Sequence, residues 1–511
     1  MDCSYPLYCS ARRNADRVAV VDAADGEEVT YAELERRIAG LAAGLRGLGL
    51  GGATVATLSA NVPETVELYM ALARAGATAV PLNTRLTAKE LRFMVADSGA
   101  AAIVADRELL PVARQLREEL AAVGTVIPLR GPGEDGPGLQ ELRESEPGPP
   151  PADADGEERS PATIIYTSGT TGFPKGVVRS HRANAWNMVN SALGAPRTPA
   201  DVELFNLPIF GIGFLHFAMP TLLGGGTLVL DGAFDPARAW RLLEERRVTR
   251  TFLAPTMIDA MLAVPGQESR QLPELETIYT AYAFPERLRR AALARFGERF
   301  VYMYGLTEAQ LTIATREEFV ADPTSVGRSM GVSEVAVIDP ANCRCAAGVV
   351  GEVAFAGPSL MSGYHGQPEA SAEALGDDSR WLRTGDLGRL DAEGNLHYVG
   401  RSKEMIKTGG FSVDPVEVEN AILDREEIAE AAVLGTESER WGEEVVAVVV
   451  VREGAALDEA GLLAACKQRI ASYKVPKRVL TLPELPKNPT GKVERGALRD
   501  LVAATPTTRS S

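Results

Sequence analysis

At 511 residues the chain is longer than one hydrophobic core usually organises, so two or more domains are expected. Its 45% hydrophobic and 24% charged residues are globular proportions and argue against a disordered or fibrous chain. A net charge of −16 argues against a polyanionic partner such as nucleic acid or an anionic membrane surface, but leaves room for a nucleotide site built from a few local donors.

The opening MDCSYPLYCSARR holds no apolar stretch long enough for a leader, and a cytoplasmic location is expected. Thr30 and Glu33 read as a capping box, after which Leu34, Ile38, Leu41, Leu45 and Leu48 recur at helical spacing until Gly49. A strand at 54–58, a helix at 64–75 and a strand at 78–81 follow, and the alternation continues through 103–105. Such βα repetition predicts an α/β fold with parallel sheets. Residues 144–160, rich in proline and acid, form a surface linker. A second α/β stretch over 161–330 holds a strand at 162–167, a glycine-rich turn, a helix, a strand at 226–230, a helix at 235–246 and a strand at 249–254. The most apolar window, 214–230, contains His216, Pro220 and three consecutive glycines, a poor match to a membrane span. From 331 to about 400 short strands and turns predict a small β-barrel or β-subdomain. Its Cys343-x-Cys345 pair has no second Cys/His cluster with which to hold zinc, and five cysteines make no disulfide framework. After Gly400 a compact α+β tail opens its helix with Asp414 and Pro415 and buries a strand at 445–451.

The strongest chemical signal is YTSGTTGFPKG at 166–176. A strand enters a turn made almost wholly of Ser, Thr and Gly, which lets backbone N–H groups and hydroxyls converge on a phosphate while Lys175 adds charge. No glycine precedes the lysine, so this is not a Walker A loop. The segment resembles the phosphate loop of the adenylate-forming superfamily, which includes acyl- and aryl-CoA synthetases, peptide-synthetase adenylation domains and firefly-type luciferases. Four more blocks agree in order and spacing: YGLTEA at 304–309, LRTGDLG at 382–388, GRSKEMIKTGGFSV at 400–413 and PKNPTGKVER at 486–495. The resemblance thus runs over nearly the whole chain. It implies a large N-terminal AMP-binding domain over 1–400, with two βα-sheets and the small β-subdomain, and a mobile C-terminal domain over 401–511 that turns about a hinge near Lys403.

By that resemblance Thr167, Ser168, Gly169, Thr170, Thr171, Gly172 and Lys175 hold the ATP phosphates. Tyr304 stacks on adenine, with Ala281, Tyr282 and Met303 beside it. Thr307 offers its hydroxyl to the α-phosphate, Glu308 holds Mg²⁺, Asp386 accepts the ribose hydroxyls, and Arg401 contacts the nucleotide. Lys492 is implied to be the catalytic lysine, bridging the substrate carboxylate and the α-phosphate, a task that needs a cation because two anions must meet while charge builds at phosphorus. The resemblance also implies that rotation of the small domain withdraws Lys492 and brings Lys407, Gly409 and Gly410 to the pantetheine arm of coenzyme A. Trp441, Arg85, Tyr473 and Lys477 match contacts to the coenzyme nucleotide, whereas Val475 stands where an arginine is usual.

The acyl pocket is implied to be lined by Trp186, Phe210, Gly211, Phe214, Ala281 and Tyr282. No aspartate lies between Leu204 and Phe217, so an amino acid substrate is disfavoured. Gly211 replaces a histidine common in related ligases and opens space, while Tyr282 and Phe284 replace small residues. The expected activity is therefore an AMP-forming acyl-CoA synthetase acting on an apolar, bulky carboxylic acid, with ATP and coenzyme A as co-substrates and Mg²⁺ as cofactor. A stand-alone enzyme loading an acyl carrier protein shares the first step; a retired acyl-adenylate binder is disfavoured because Thr307, Glu308, Asp386 and Lys492 are all present. Monomer and homodimer both stay open.

Overall fold

The computed structural model describes residues 2–133, 136–148, 157–167, 174–282, 284–322, 324–376, 380–438, 440–487 and 493–504. Helix Tyr31–Gly47 starts where expected, but the capping is one-sided: the Thr30 hydroxyl accepts the Glu33 N–H at 3.2 Å, while the Glu33 carboxylate takes Arg36 and Arg37 instead of reaching back. Its apolar stripe of Leu34, Ile38, Leu41 and Leu45 is fully buried.

A seven-stranded sheet runs in the order Gly363–Tyr364, Lys175–Ser180, Pro161–Thr167, Thr78–Pro81, Thr54–Leu58, Ala102–Ala105, Thr125–Pro128. The last five strands are parallel, as the βα alternation predicts, and the first two are antiparallel additions. A nine-stranded sheet has six parallel strands at its centre, Phe300–Gly305, Thr277–Thr280, Arg250–Phe252, Val202–Phe205, Thr227–Leu230 and Val18–Asp22, with antiparallel strands at both edges. Strand Val202–Phe205 was not expected from the sequence. Helix Pro63–Ala75 is buried along nearly its whole length. It can carry acid there because Glu67 meets Arg143 at 2.6 Å and Arg37 at 3.3 Å. Of the two forms expected for the next segment, barrel or small sheet, the chain adopts the sheet: strands Glu334–Ile338, Gly351–Ala356, Leu382–Leu390 and Leu396–Arg401 pair antiparallel in that order. A fourth sheet after residue 405 pairs Phe411–Val413, Ile406–Thr408, Gly442–Val451 and Ile428–Ser438, with Arg478–Thr481 added in parallel.

Where this last body begins, Asp414 caps helix Pro415–Leu423 by accepting the Val416 N–H at 3.0 Å. Its carboxyl packs on Gly400, where an added Cβ would come within 2.9 Å of it. Burial, aided by Glu419 and Glu417 and opposed by the Val416 N–H and Arg495, lifts the Asp414 carboxyl from 3.8 to about 7. A raised carboxyl favours folding while protonated, so its contribution is present at acid pH and lost as pH rises through about 7. One pKa unit is worth about 1.4 kcal/mol. Asp414→Asn, which keeps the cap, should therefore stabilise the chain by roughly 2–3 kcal/mol more at pH 8 than at pH 5, since the loss runs from 3.8 to about 7. Urea midpoints at the two pH values check this; an equal shift at both would assign the effect to packing.

Candidate active site

Ligands of open parallel sheets bind at the carboxyl ends of the strands, and of the expected nucleotide residues Thr167, Tyr304, Thr307 and Glu308 lie at or just beyond such ends. In the seven-stranded sheet Thr167 and Lys175 are register partners at the end of an antiparallel pair. The turn thus joins strand to strand, not strand to helix as the sequence reading had it. Ser168, Gly169, Thr170, Thr171 and Gly172 lie outside the described residues, but the two ends that hold them are fixed by this pairing. Ser180, whose hydroxyl accepts the Ala183 N–H, caps the helix that follows, and His181, the next residue, accepts the Cys3 N–H at Nδ1.

The Lys175 ammonium lies 4.9 Å from the centre of the Tyr364 ring, and the Tyr364 hydroxyl donates to Glu308 Oε1 at 3.0 Å. One tyrosine thereby joins the loop's cation to the candidate metal carboxylate. Tyr364 was missed in the sequence, where SGYHG carries no phosphate-binding pattern; it is brought in by its short strand, which pairs with Val177 and Val178. Arg179 was also missed. It is fully buried and donates to the carbonyls of Thr307 at 2.8 Å and Ser359 at 2.9 Å and to Asn184 Oδ1 at 2.9 Å. An arginine in the apolar run KGVVRS was the available signal. Burial lowers its guanidinium to about 10, which still leaves a cation at neutral pH behind the Thr307–Glu308 segment. His216 is buried near it and, through burial first and the Arg179 charge second, drops to about 3, so its ring is neutral at neutral pH.

Glu308 suits Mg²⁺ by its donor set. Tyr364 engages Oε1. A single carboxylate plus nucleotide phosphates and water is the usual way proteins hold this ion. Asp386 is 2% exposed; its Oδ2 accepts the Tyr304 hydroxyl at 2.6 Å and its Oδ1 accepts Arg401 Nε at 3.0 Å. Burial raises the Asp386 carboxyl and Arg401 pulls it back. Tyr304 packs beside Phe355 and Tyr398, and burial together with Asp386 pushes its hydroxyl upward, so it stays a donor.

Of the expected acyl wall, Phe214 is buried against Tyr69 and Phe205; Met303, expected beside adenine, is buried in the same core as Phe214. Trp186 and Phe210 are part-exposed. A Cβ added at Gly211 would meet only the Pro208 carbonyl, at 3.6 Å, so there is space beside it. In the C-terminal body Gly409 has φ +57° and its Cα faces the Trp441 ring, where a Cβ would come within 3.0 Å. The Arg440 guanidinium covers Trp441, and Phe411 stacks on Tyr473 at 4.5 Å. Lys407, Lys403, Lys477 and Arg85 are exposed. Lys492 lies outside the described residues; Lys487 and Val493 pair with each other in an isolated antiparallel bridge. No helix among the described residues is long and apolar enough to cross a membrane.

Residues 8–365 match the AMP-binding enzyme family and residues 417–492 its C-terminal domain. The chain is 37% identical over 479 residues to the feruloyl-CoA synthase of Amycolatopsis sp, covering 93% of this chain and 94% of that one. It is 37% identical over 481 residues to the indoleacetate–CoA ligase of Aromatoleum aromaticum, with the same coverage. Among solved structures, ATP-bound MatB from Rhodopseudomonas palustris superposes with a TM-score of 0.88 at 29% identity, over 99% of both chains. The order of the sheets and these matches agree: the chain belongs to the AMP-binding enzyme family, in the acyl- and aryl-CoA synthetase branch of the adenylate-forming superfamily.

Proposed function

We propose that the chain condenses a bulky, apolar, ring-bearing carboxylic acid with ATP to an acyl-adenylate and pyrophosphate, then passes the acyl group to coenzyme A with release of AMP. The observation that carries this is the Lys175–Tyr364–Glu308 linkage, which sets a phosphate-loop cation and a metal carboxylate on the two sides of one tyrosine. In this reading Glu308 holds Mg²⁺, which neutralises phosphate charge when bound. Lys175, Thr307 and the loop orient the phosphates, Asp386 and Arg401 hold the ribose, and Lys492 holds the attacking carboxylate against the α-phosphate. The carboxylate oxygen bonds to the α-phosphorus as the bond to pyrophosphate breaks. The second step needs Lys492 gone, so residues 401–511 turn about Lys403 as a mobile domain against 1–400. Gly409, Gly410 and Lys407 then flank the thiol arm, and Trp441, Tyr473, Arg85 and Lys477 take the coenzyme nucleotide.

The space at Gly211, with Trp186 and Phe210 alongside, supports an acid of cyclic bulk, and both curated relatives named above are ligases of aromatic acids by name. Acid-dependent pyrophosphate release, followed by thioester formation with coenzyme A, should favour ferulate or indole-3-acetate over acetate and over amino acids by about tenfold or more in kcat/KM, since each missing ring contact costs about 1 kcal/mol. A preference for acetate or an amino acid in that panel would end the substrate reading. A cytoplasmic enzyme is the setting in which ATP and coenzyme A are at hand.

A further inference from the structure

A cleft of about 330 Å³ opens beside Arg250 and Thr277, the first residues of strands Arg250–Phe252 and Thr277–Thr280. That is the amino end of these strands, whereas Tyr304 stands toward the carboxyl end of the neighbouring strand Phe300–Gly305. The size suits a small molecule, and no step of the proposed reaction uses it.

Two guanidinium groups meet in its wall. Arg316 Nη2 donates to Thr277 Oγ1 at 2.8 Å, and Arg250 Nη1 reaches the same oxygen at 3.5 Å and the Tyr279 hydroxyl at 3.0 Å. Like charges that share one neutral acceptor repel, so folding gains nothing by bringing them together. Arg250 has its counter-charge in Asp201, 2.6 Å from Nε. Arg316 has none: among the described residues its hydrogen bond goes to Thr277, and no carboxylate lies within ion-pair distance. Glu317, next along the chain, is exposed, and its carboxylate turns to its own N–H and to Thr315. A third guanidinium, Arg197, lies 4.8 Å from the centre of the Tyr279 ring and is matched by Glu203. In a chain of net charge −16, Arg316 is thus a local cationic surplus at the edge of a cavity. Pro196, Val301 and Ile313 add apolar surface to the lining. An unpaired guanidinium fork beside a second one matches a phosphate, and apolar surface next to them matches a carbon body. We propose that this cleft is a second, non-catalytic binding site, which holds the phosphate of a small organic phosphate monoester between Arg316 and Arg250.

The test titrates the full-length chain calorimetrically with phenyl phosphate at constant ionic strength. Wild type and Lys175→Ala, which strips the catalytic loop of its cation, should share a saturable site whose affinities agree within about twofold. Arg316→Gln should weaken that site by about tenfold or more, the cost of one lost hydrogen bond to a charged acceptor. Arg316→Lys, which keeps the charge and loses the fork, should fall between. Arg316 is part-exposed and carries no ion pair, so both unliganded variants should melt with wild type. Acid-dependent pyrophosphate release should be unchanged in Arg316→Gln, which separates this site from the adenylation reading. Affinity held within about twofold of wild type in Arg316→Gln, less than one such bond, would overturn the proposal. So would the absence of saturable binding in wild type, or its loss in Lys175→Ala, which would assign the phosphate to the catalytic loop.

Discussion

Lys492→Ala is expected to slow acid-dependent pyrophosphate release by about 10²–10³-fold, the size seen when one donor to a developing oxyanion is removed, while leaving the conversion of supplied acyl-adenylate to thioester near wild type. The asymmetry follows from electrostatics. In the first step a carboxylate must approach a phosphate already flanked by two more, and an ammonium between them lowers the barrier far more than it aids ground-state binding. In the second step the attacking group is a thiol and the phosphate is leaving, so a cation lodged at the carboxylate would only stand in the thiol's way. Stopped-flow pyrophosphate release and, separately, thioester formation from synthetic adenylate read the two halves. Equal losses in both would end the division of labour and with it the need for a rotating C-terminal body.

Much of this was legible in the sequence because local chemistry and global fold agree along most of the chain. Strands 54–58 and 78–81 and the helix between them fall where hydrophobic period and turn residues put them, within a residue. The turn at 168–173 was misplaced in topology for a physical reason: Lys175–Ser180 follows a glycine-rich turn, and KGVVRS is too short for periodicity to separate strand from helix. Strand Val202–Phe205 escaped because VELF is four residues with an acid in it, and that acid, Glu203, is buried beside Arg197 and Thr221, partners that only tertiary structure supplies. In the site, residues within motif blocks were found, while those that reach in from outside were not. Tyr364 and Arg179 act on Glu308 and Thr307 across 56 and 128 positions of chain, and nothing local marks them. Tyr282 could be seen in the sequence as a departure from small residues, but its left-handed backbone could not, since tyrosine has no propensity for it.

The second large effect is expected at Asp386. Each of its oxygens already accepts one bond, from Tyr304 and from Arg401, and a carboxylate has about four lone-pair sites, so two remain for ribose hydroxyls. Bonds to a charged acceptor contribute about 1.5–3 kcal/mol each, and Asp386→Ala should therefore raise KM for ATP by about 10²-fold or more while moving KM for the acid little. The alanine would also strip Tyr304 and Arg401 of their shared acceptor, so Asp386→Asn, which keeps the volume and one acceptor oxygen, is the cleaner variant. The pH dependence separates charge from shape. Burial raises this carboxyl above the ordinary 3.8, and its ionised form is the acceptor. ATP capture should thus weaken as pH falls toward the raised value, earlier than a solvated aspartate would dictate. The asparagine variant should bind more weakly at neutral pH and lose that acid limb, because no proton remains to be taken up. If kcat/KM for ATP kept the same acid limb in Asp386→Asn, another group would own it; if KM for ATP stayed within about threefold of wild type in both variants, less than the loss of a single charged hydrogen bond, the ribose would have to be held elsewhere.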